Sequence, residues 1–151
     1  MYTQEELAAI VKRCYENADF HEMYPLMEED YEHISFWVTQ VRAGKECAIQ
    51  YYDEKAKYMR MDPSNHIEAR LVKILEAPDQ VRPGGLIENG IRIPEDEAFL
   101  HRKDVGKTAA RMVQYTDREI IHTLAIPTVS ENGLLKQVLI ANPYFYKWEE
   151  L

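Results

Sequence analysis

Within the stretch YEHISFWVTQVRAGKECAIQYY, residues 31–52, the side chains of His33, Ser35 and Trp37 fall on one face of a two-residue repeat. An imidazole titrating near neutrality takes and gives protons, and an indole supplies an apolar wall. This face therefore reads as one side of a pocket for a small, largely apolar molecule. Tyr52, on the apolar stripe of the helix that follows, is expected to line that pocket with Ser35 and Trp37. His122, between Ile121 and Thr123, is a second acid/base candidate and could form a pair with His33. Arg111, flanked by Ala110 and Met112, is the one strand charge that could face inward and clamp a carboxylate ligand. Each has a plainer counterpart: a core histidine satisfied by hydrogen bonds, a tryptophan that only packs, an arginine at a rim.

Other chemistries find less support. The five histidines, at 21, 33, 66, 101 and 122, show no H-x-H or H-x-x-x-H spacing, so no metal site is expected. Gly84-Gly85 lacks the strand-to-helix context of a phosphate loop, and no cofactor is expected. Glu28, Glu29, Asp30 and Glu32 are contiguous acids of the kind that mark a solvated turn. With 18 Lys+Arg against 26 Asp+Glu, a formal net charge of -8 and basic residues only in isolated pairs, the composition speaks against a nucleic-acid partner. Cys14 and Cys47 lie in helical patterns without a C-x-x-C spacing and read as buried free thiols in a reducing compartment. The chain shows neither a secretory signal nor an apolar run long enough to span a bilayer, which predicts a soluble, cytoplasmic protein with no membrane partner.

The elements that must position these residues follow from periodicity. The 151 residues, 46% of them hydrophobic, suffice for a single domain, 1–151, with one core. Leu7, Ile10, Val11, Cys14 and Ala18 recur at helical spacing behind a Thr3/Glu6 capping box. Asp19 and Glu22 predict a second, shorter helix with Met23, Tyr24 and Met27 on its apolar side, closed by Glu28, Glu29 and Asp30. After the alternating strand, Gly44 opens a third helix with Ala48, Ile49, Tyr52, Ala56 and Met59 on one stripe, ending before Asp62-Pro63. Residues 66–75, 107–115, 118–129 and 134–146 are strand-like, the last two joined by a turn at Ser130-Glu131-Asn132-Gly133. This is an α+β pattern, three N-terminal helices packed on a curved, mainly antiparallel sheet. Between the halves, residues 77–106 form a Pro/Gly-rich insertion that is either a flap or a source of an extra edge strand near GIRI, with PEDEAFLHR the only stretch able to form a short helix.

Both parities of the closing hairpin are apolar: Ile120, Leu124 and Ile126 against Ile121 and Ala125, then Leu135 and Leu139 against Leu134, Val138 and Ile140. Such a sheet is covered on both faces, and three helices cover one. A homodimer through the other face is expected, the alternative being that residues 77–106 fold back over it within one chain.

The order helix, short helix, strand, G-K-E-x-x-I helix, antiparallel strands resembles the nuclear transport factor 2-like superfamily, which includes SnoaL-like cyclases and ketosteroid isomerases. NADFHEMYPLMEEDYEHISFW, RAGKECAIQYY and LAIPTVSENGLLKQVLIANPYFYKWE carry the resemblance, which spans the chain from about Leu7 to Trp148. It implies a cystatin-like cone with a pocket between the concave face of the sheet and the helices, and commonly a dimer through the convex face. In the ketosteroid isomerase branch a base lies nine residues before the helix-opening Gly, where this chain has Ser35, and an oxyanion-hole Tyr lies on the first helix, where it has Val11. Proton abstraction beside a carbonyl needs both groups, so that activity is not expected. Two classes stay open. One is a cofactor-independent lyase, isomerase or cyclase with His33 and His122 or a Tyr in acid/base roles. The other is a non-catalytic dimeric ligand-binding or assembly module.

Overall fold

The computed structural model describes residues 1–35, 40–78, 80–81, 87–88, 91–92, 100–101 and 104–151, the four two-residue pieces in their backbone. Helix α1, Gln4–Asn17, starts at the expected capping box: Glu6 N donates to Thr3 Oγ1 at 3.1 Å and Thr3 N to Glu6 Oε1 at 2.9 Å. It stops at Ala18, whose left-handed φ of 50° turns the chain so that Phe20 enters the core.

The expected second helix is not formed. Its region holds one 3-10 turn, Tyr24–Leu26, and strand β1, Met27–Ser35, has already begun where helix was expected to continue. Pro25 sits in the first turn, where its missing N–H does no harm, but the turn lacks a side-chain cap and the apolar spacing of Met27 and Tyr31 serves a strand equally well. Glu28, Glu29 and Asp30 therefore lie in a strand and do not close a helix. Among the described residues the architecture has two α-helices, one large mixed sheet and a separate two-stranded pair.

Strand β2, Gln40–Ala43, leads into helix α2, Lys45–Met61, through Gly44. Gly44 has a φ of 92°, a conformation that a side chain would strain, and this fixes the residue type at the strand-to-helix corner. Then follow β3, His66–Glu76; β4, Gln80–Val81; β5, Ile87–Glu88; β6, Ile91–Arg92; and β7, Leu100–His101. The second half adds β8, Thr108–Tyr115; β9, Ile120–Val129; β10, Leu135–Ala141; and β11, Lys147–Glu150. The last predicted strand is cut at Asn142, which caps a 3-10 turn over Pro143–Phe145 by accepting from Tyr144 N at 2.9 Å.

Nine strands form one sheet in the order β11-β3-β8-β9-β10-β1-β2-β5-β6, while β4 and β7 pair separately. The pairings are antiparallel except β1 with β10 and β2 with β5. Strands 87–88 and 91–92 thus give the sheet an extra edge beside β2, and the expected short helix loses Leu100–His101 to a strand while 94–99 lie outside the described residues.

Helix α1 packs on β3, β8 and β9, and α2 on β1 and β2. Against them the sheet presents Tyr31, Met112, Ala125, Val138 and Ile140, the first core cluster. The other face carries Ile34, Val72, Leu124, Ile126 and Leu139, joined by Tyr146 and flanked by Trp148 and Ala77. Leu135 belongs to the helix side although it shares parity with Leu139, because the register shifts between Leu135 and Gln137. On the second face Ile34, Leu124 and Leu139 are each 0% exposed in the single chain. The burial of these residues needs no second subunit, while Ile120, farther along the same face of β9, is 59% exposed. No described helix is long and apolar enough to cross a membrane.

Candidate functional site

A cavity of about 170 Å³ lies between the two helices and the helix-facing side of the sheet. Its floor is Met112 of β8, Ile121 of β9 and Ile140 of β10, with Ser35 at the end of β1 and Thr123 of β9 supplying hydroxyls. The roof is Tyr15 of α1 together with Tyr51 and Lys55 of α2, which lie one turn apart on one face of the helix. Gln114 of β8 completes the lining.

Lys55 is the one charged group among the described lining residues. Its Nζ donates to Gln114 Oε1 at 3.5 Å, and no carboxylate among the described residues pairs with it. Burial pushes its pKa below the ordinary lysine value. Gln114 Nε2 points away toward Met59 Sδ at 3.5 Å, so the amide oxygen is left for the ammonium. The Tyr15 hydroxyl is buried with no hydrogen-bond partner among the described residues.

Behind Tyr51 lies a chain of buried hydrogen bonds. The Tyr31 and Tyr52 hydroxyls are hydrogen-bonded at 2.6 Å, one donating to the other, and Tyr52 Oη sits 2.8 Å from His33 Nδ1. The His33 ring stacks on Tyr51 with centroids 4.5 Å apart, and the Arg42 guanidinium lies 5.5 Å from the centroid of the same tyrosine. His33 Nε2 has no hydrogen-bond partner among the described residues. Burial first, then the charges of Lys55 and Arg42, push the imidazole down to about 3. A shift in that direction keeps His33 neutral at pH 7.

The sequence-derived candidates separate accordingly. Ser35 borders the cavity; His33 and Tyr52 share its face but lie behind the lining, 1% and 0% exposed. Trp37 lies outside the described residues, as does Gly84-Gly85. His122 pairs with Val113 and Arg111 with Leu124, register positions of the opposite face, and the Arg111 guanidinium lies 5.9 Å from the Trp148 ring centroid there. The structure therefore brings neither His122 nor Arg111 to His33, because adjacent residues of a strand point to opposite sides of the sheet. Cys14 is buried, its thiol pushed up to about 12 by desolvation, whereas Cys47 is only half-buried.

Sequence reasoning missed Lys55, Gln114, Tyr51 and Tyr15. The signal available was slight: Lys55 stands beside the apolar stripe, one turn after Tyr51, and reads as an ordinary solvated lysine. Val11, the position matched to a catalytic tyrosine, is fully buried in the core, while Tyr15 one turn later reaches the cavity.

No protein-family model matches the sequence, and neither does any curated protein. Solved structures match over nearly the whole chain. A nuclear transport factor 2-like protein of unknown function from Cytophaga hutchinsonii superimposes with a TM-score of 0.55 at 12% identity, covering 91% of this chain and 97% of that one. A computationally designed 17-OHP binder superimposes with a TM-score of 0.51 at 14% identity, covering 96% and 98%. Identities this low speak for architecture alone: the chain has the nuclear transport factor 2-like fold.

Proposed function

We propose that this chain is a small-molecule-binding domain whose largely apolar ligand occupies the cavity between α1, α2 and the sheet. The observation that carries the reading is the lining itself, an apolar floor of Met112, Ile121 and Ile140 facing a few polar groups on one side. A volume of about 170 Å³ suits one ring, since an engineered apolar cavity of about 150 Å³ holds benzene. The likeness in fold to a designed 17-OHP binder supports the use of this architecture for ligands.

Titration of the protein with benzyl alcohol, followed by amide and methyl chemical shifts, tests this. Resonances of Ser35, Thr123 and Ile140 should move together, and ligand at about 100 times its Kd should stabilise the fold by about 2.7 kcal/mol. Ile140→Trp, which fills the floor, should abolish both effects. Unperturbed cavity resonances, or equal binding by the filled variant, would overturn the reading.

A further inference from the structure

We propose that the cavity selects a carboxylate: its ligand is a single-ring aromatic or similarly compact apolar acid, seated with the carboxylate against Lys55 and the ring on Met112, Ile121 and Ile140. The inference rests on the binding function proposed above and specifies its ligand class.

The polar groups around the cavity are unbalanced in one direction. Lys55 offers three N–H donors and, among the described residues, uses one, at a long 3.5 Å, on Gln114. Ser35 and Thr123 bring hydroxyls, and the buried Tyr15 hydroxyl has no partner among the described residues. These hydroxyls can donate, and the free faces of the ammonium can do nothing else. The group missing from the described lining is a strong acceptor carrying negative charge. The chain as a whole has 26 Asp+Glu and a formal net charge of -8, yet no acid among the described residues is placed at Lys55.

The groups facing Lys55 from each neighbouring element agree. From α1 comes Tyr15, from β8 Gln114, from α2 Tyr51, and beyond Tyr51 lie the neutral His33 and the cationic Arg42. None of these is an anion. Burial disfavours the charge on the Lys55 ammonium. A half-buried ammonium with no countercharge among the described residues is unfavourable, and a bound carboxylate supplies both the countercharge and the acceptor oxygens. A neutral ligand would fill the floor and leave the ammonium as it was. An amine ligand would add a second cation beside it.

Three probes of nearly equal shape separate the possibilities: benzoate, benzyl alcohol and benzylamine, titrated by calorimetry into the full chain at pH 7. Benzoate should bind about tenfold or more tightly than benzyl alcohol, the expected size of one charge-assisted contact, and benzylamine should bind most weakly. In Lys55→Met, which keeps the length of the side chain without its charge, the ratio of benzoate to benzyl alcohol affinity should fall to about one. Lys55→Gln gives the same comparison with a polar neutral group, so the result does not depend on how one variant folds; both are checked by thermal melting. Equal affinities for benzoate and benzyl alcohol in the unaltered protein would overturn the carboxylate inference and leave the binding function standing. A benzoate preference that persists in both variants would overturn it as well. Failure of all three probes would overturn both readings together.

Discussion

Acid should loosen this fold through one residue, His33. The folded chain holds the imidazole neutral, its pKa pushed down to about 3 from an ordinary 6.5, with burial the main cause. The unfolded chain binds a proton near 6.5 and the folded chain does not. Its contribution to stability is therefore complete above pH 6.5 and is lost progressively as the pH falls toward 3. At one pKa unit per 1.36 kcal/mol, the loss reaches about 2 kcal/mol by pH 5. For a chain of this size that lowers the midpoint of thermal unfolding by about 4–8 °C. Urea unfolding at pH 7.5, 6.0 and 5.0 measures it, with His33→Gln as the control. The variant starts less stable but lacks the titrating ring, so the gap between the two proteins should narrow by about 2 kcal/mol on going from pH 7.5 to 5.0. Other histidines contribute alike to both and cancel. Curves that stay parallel would falsify the assignment of His33 as a buried neutral ring.

Two further outcomes follow from the same core. Tyr52→Phe removes the hydroxyl that joins Tyr31 at 2.6 Å to His33 at 2.8 Å, leaving two buried groups without a partner; a loss of about 2–4 kcal/mol is expected in urea unfolding, and a change below about 0.5 kcal/mol would mean the hydroxyl bridges nothing. Leu139→Glu places a charge on a face that is already closed within one chain; far-UV circular dichroism should show loss of the fold, about 3 kcal/mol or more of destabilisation. A well-folded Leu139→Glu monomer obtained from a wild-type dimer by sedimentation would instead show that this face is an interface.

What the sequence disclosed was local. The Thr3/Glu6 box, the alternation around His33, the Gly44 corner and the Asn132-Gly133 turn each declare themselves within a few residues, and each is found. The second helix misled because Met23, Met27 and Tyr31 are spaced four apart, a period shared by helix and strand. Pairing of β1 with β10 decided between them, and that partner lies about a hundred residues away in sequence. The site was hidden for the same reason. Lys55 and Gln114 are 59 residues apart, and nothing near either one announces the contact. His33 was found by its residue type, but its protonation depends on Tyr51 and Tyr52 closing over it, which is a property of packing.

The parallel junction of β1 with β10 also orders events in time. Helix α1 rests on β3, β8 and β9, and one edge of β1 is filled only by Leu135–Ala141. A nascent chain that has produced α1, β1, β2 and α2 therefore holds an apolar helix face with no sheet beneath it and a strand with one open edge. The segment through Met61 cannot settle alone: its burial waits for the closing hairpin, and long-range closure of this kind is slow and exposes strand edges while it lasts. Glu28 sits on that waiting strand, and its carboxylate accepts from Ser130 Oγ at 2.7 Å and from Asn132 Nδ2 at 3.0 Å, both in the turn that joins β9 to β10. That carboxylate finds its partners only when the closing turn has formed, so the same late event that fills the edge of β1 also satisfies Glu28.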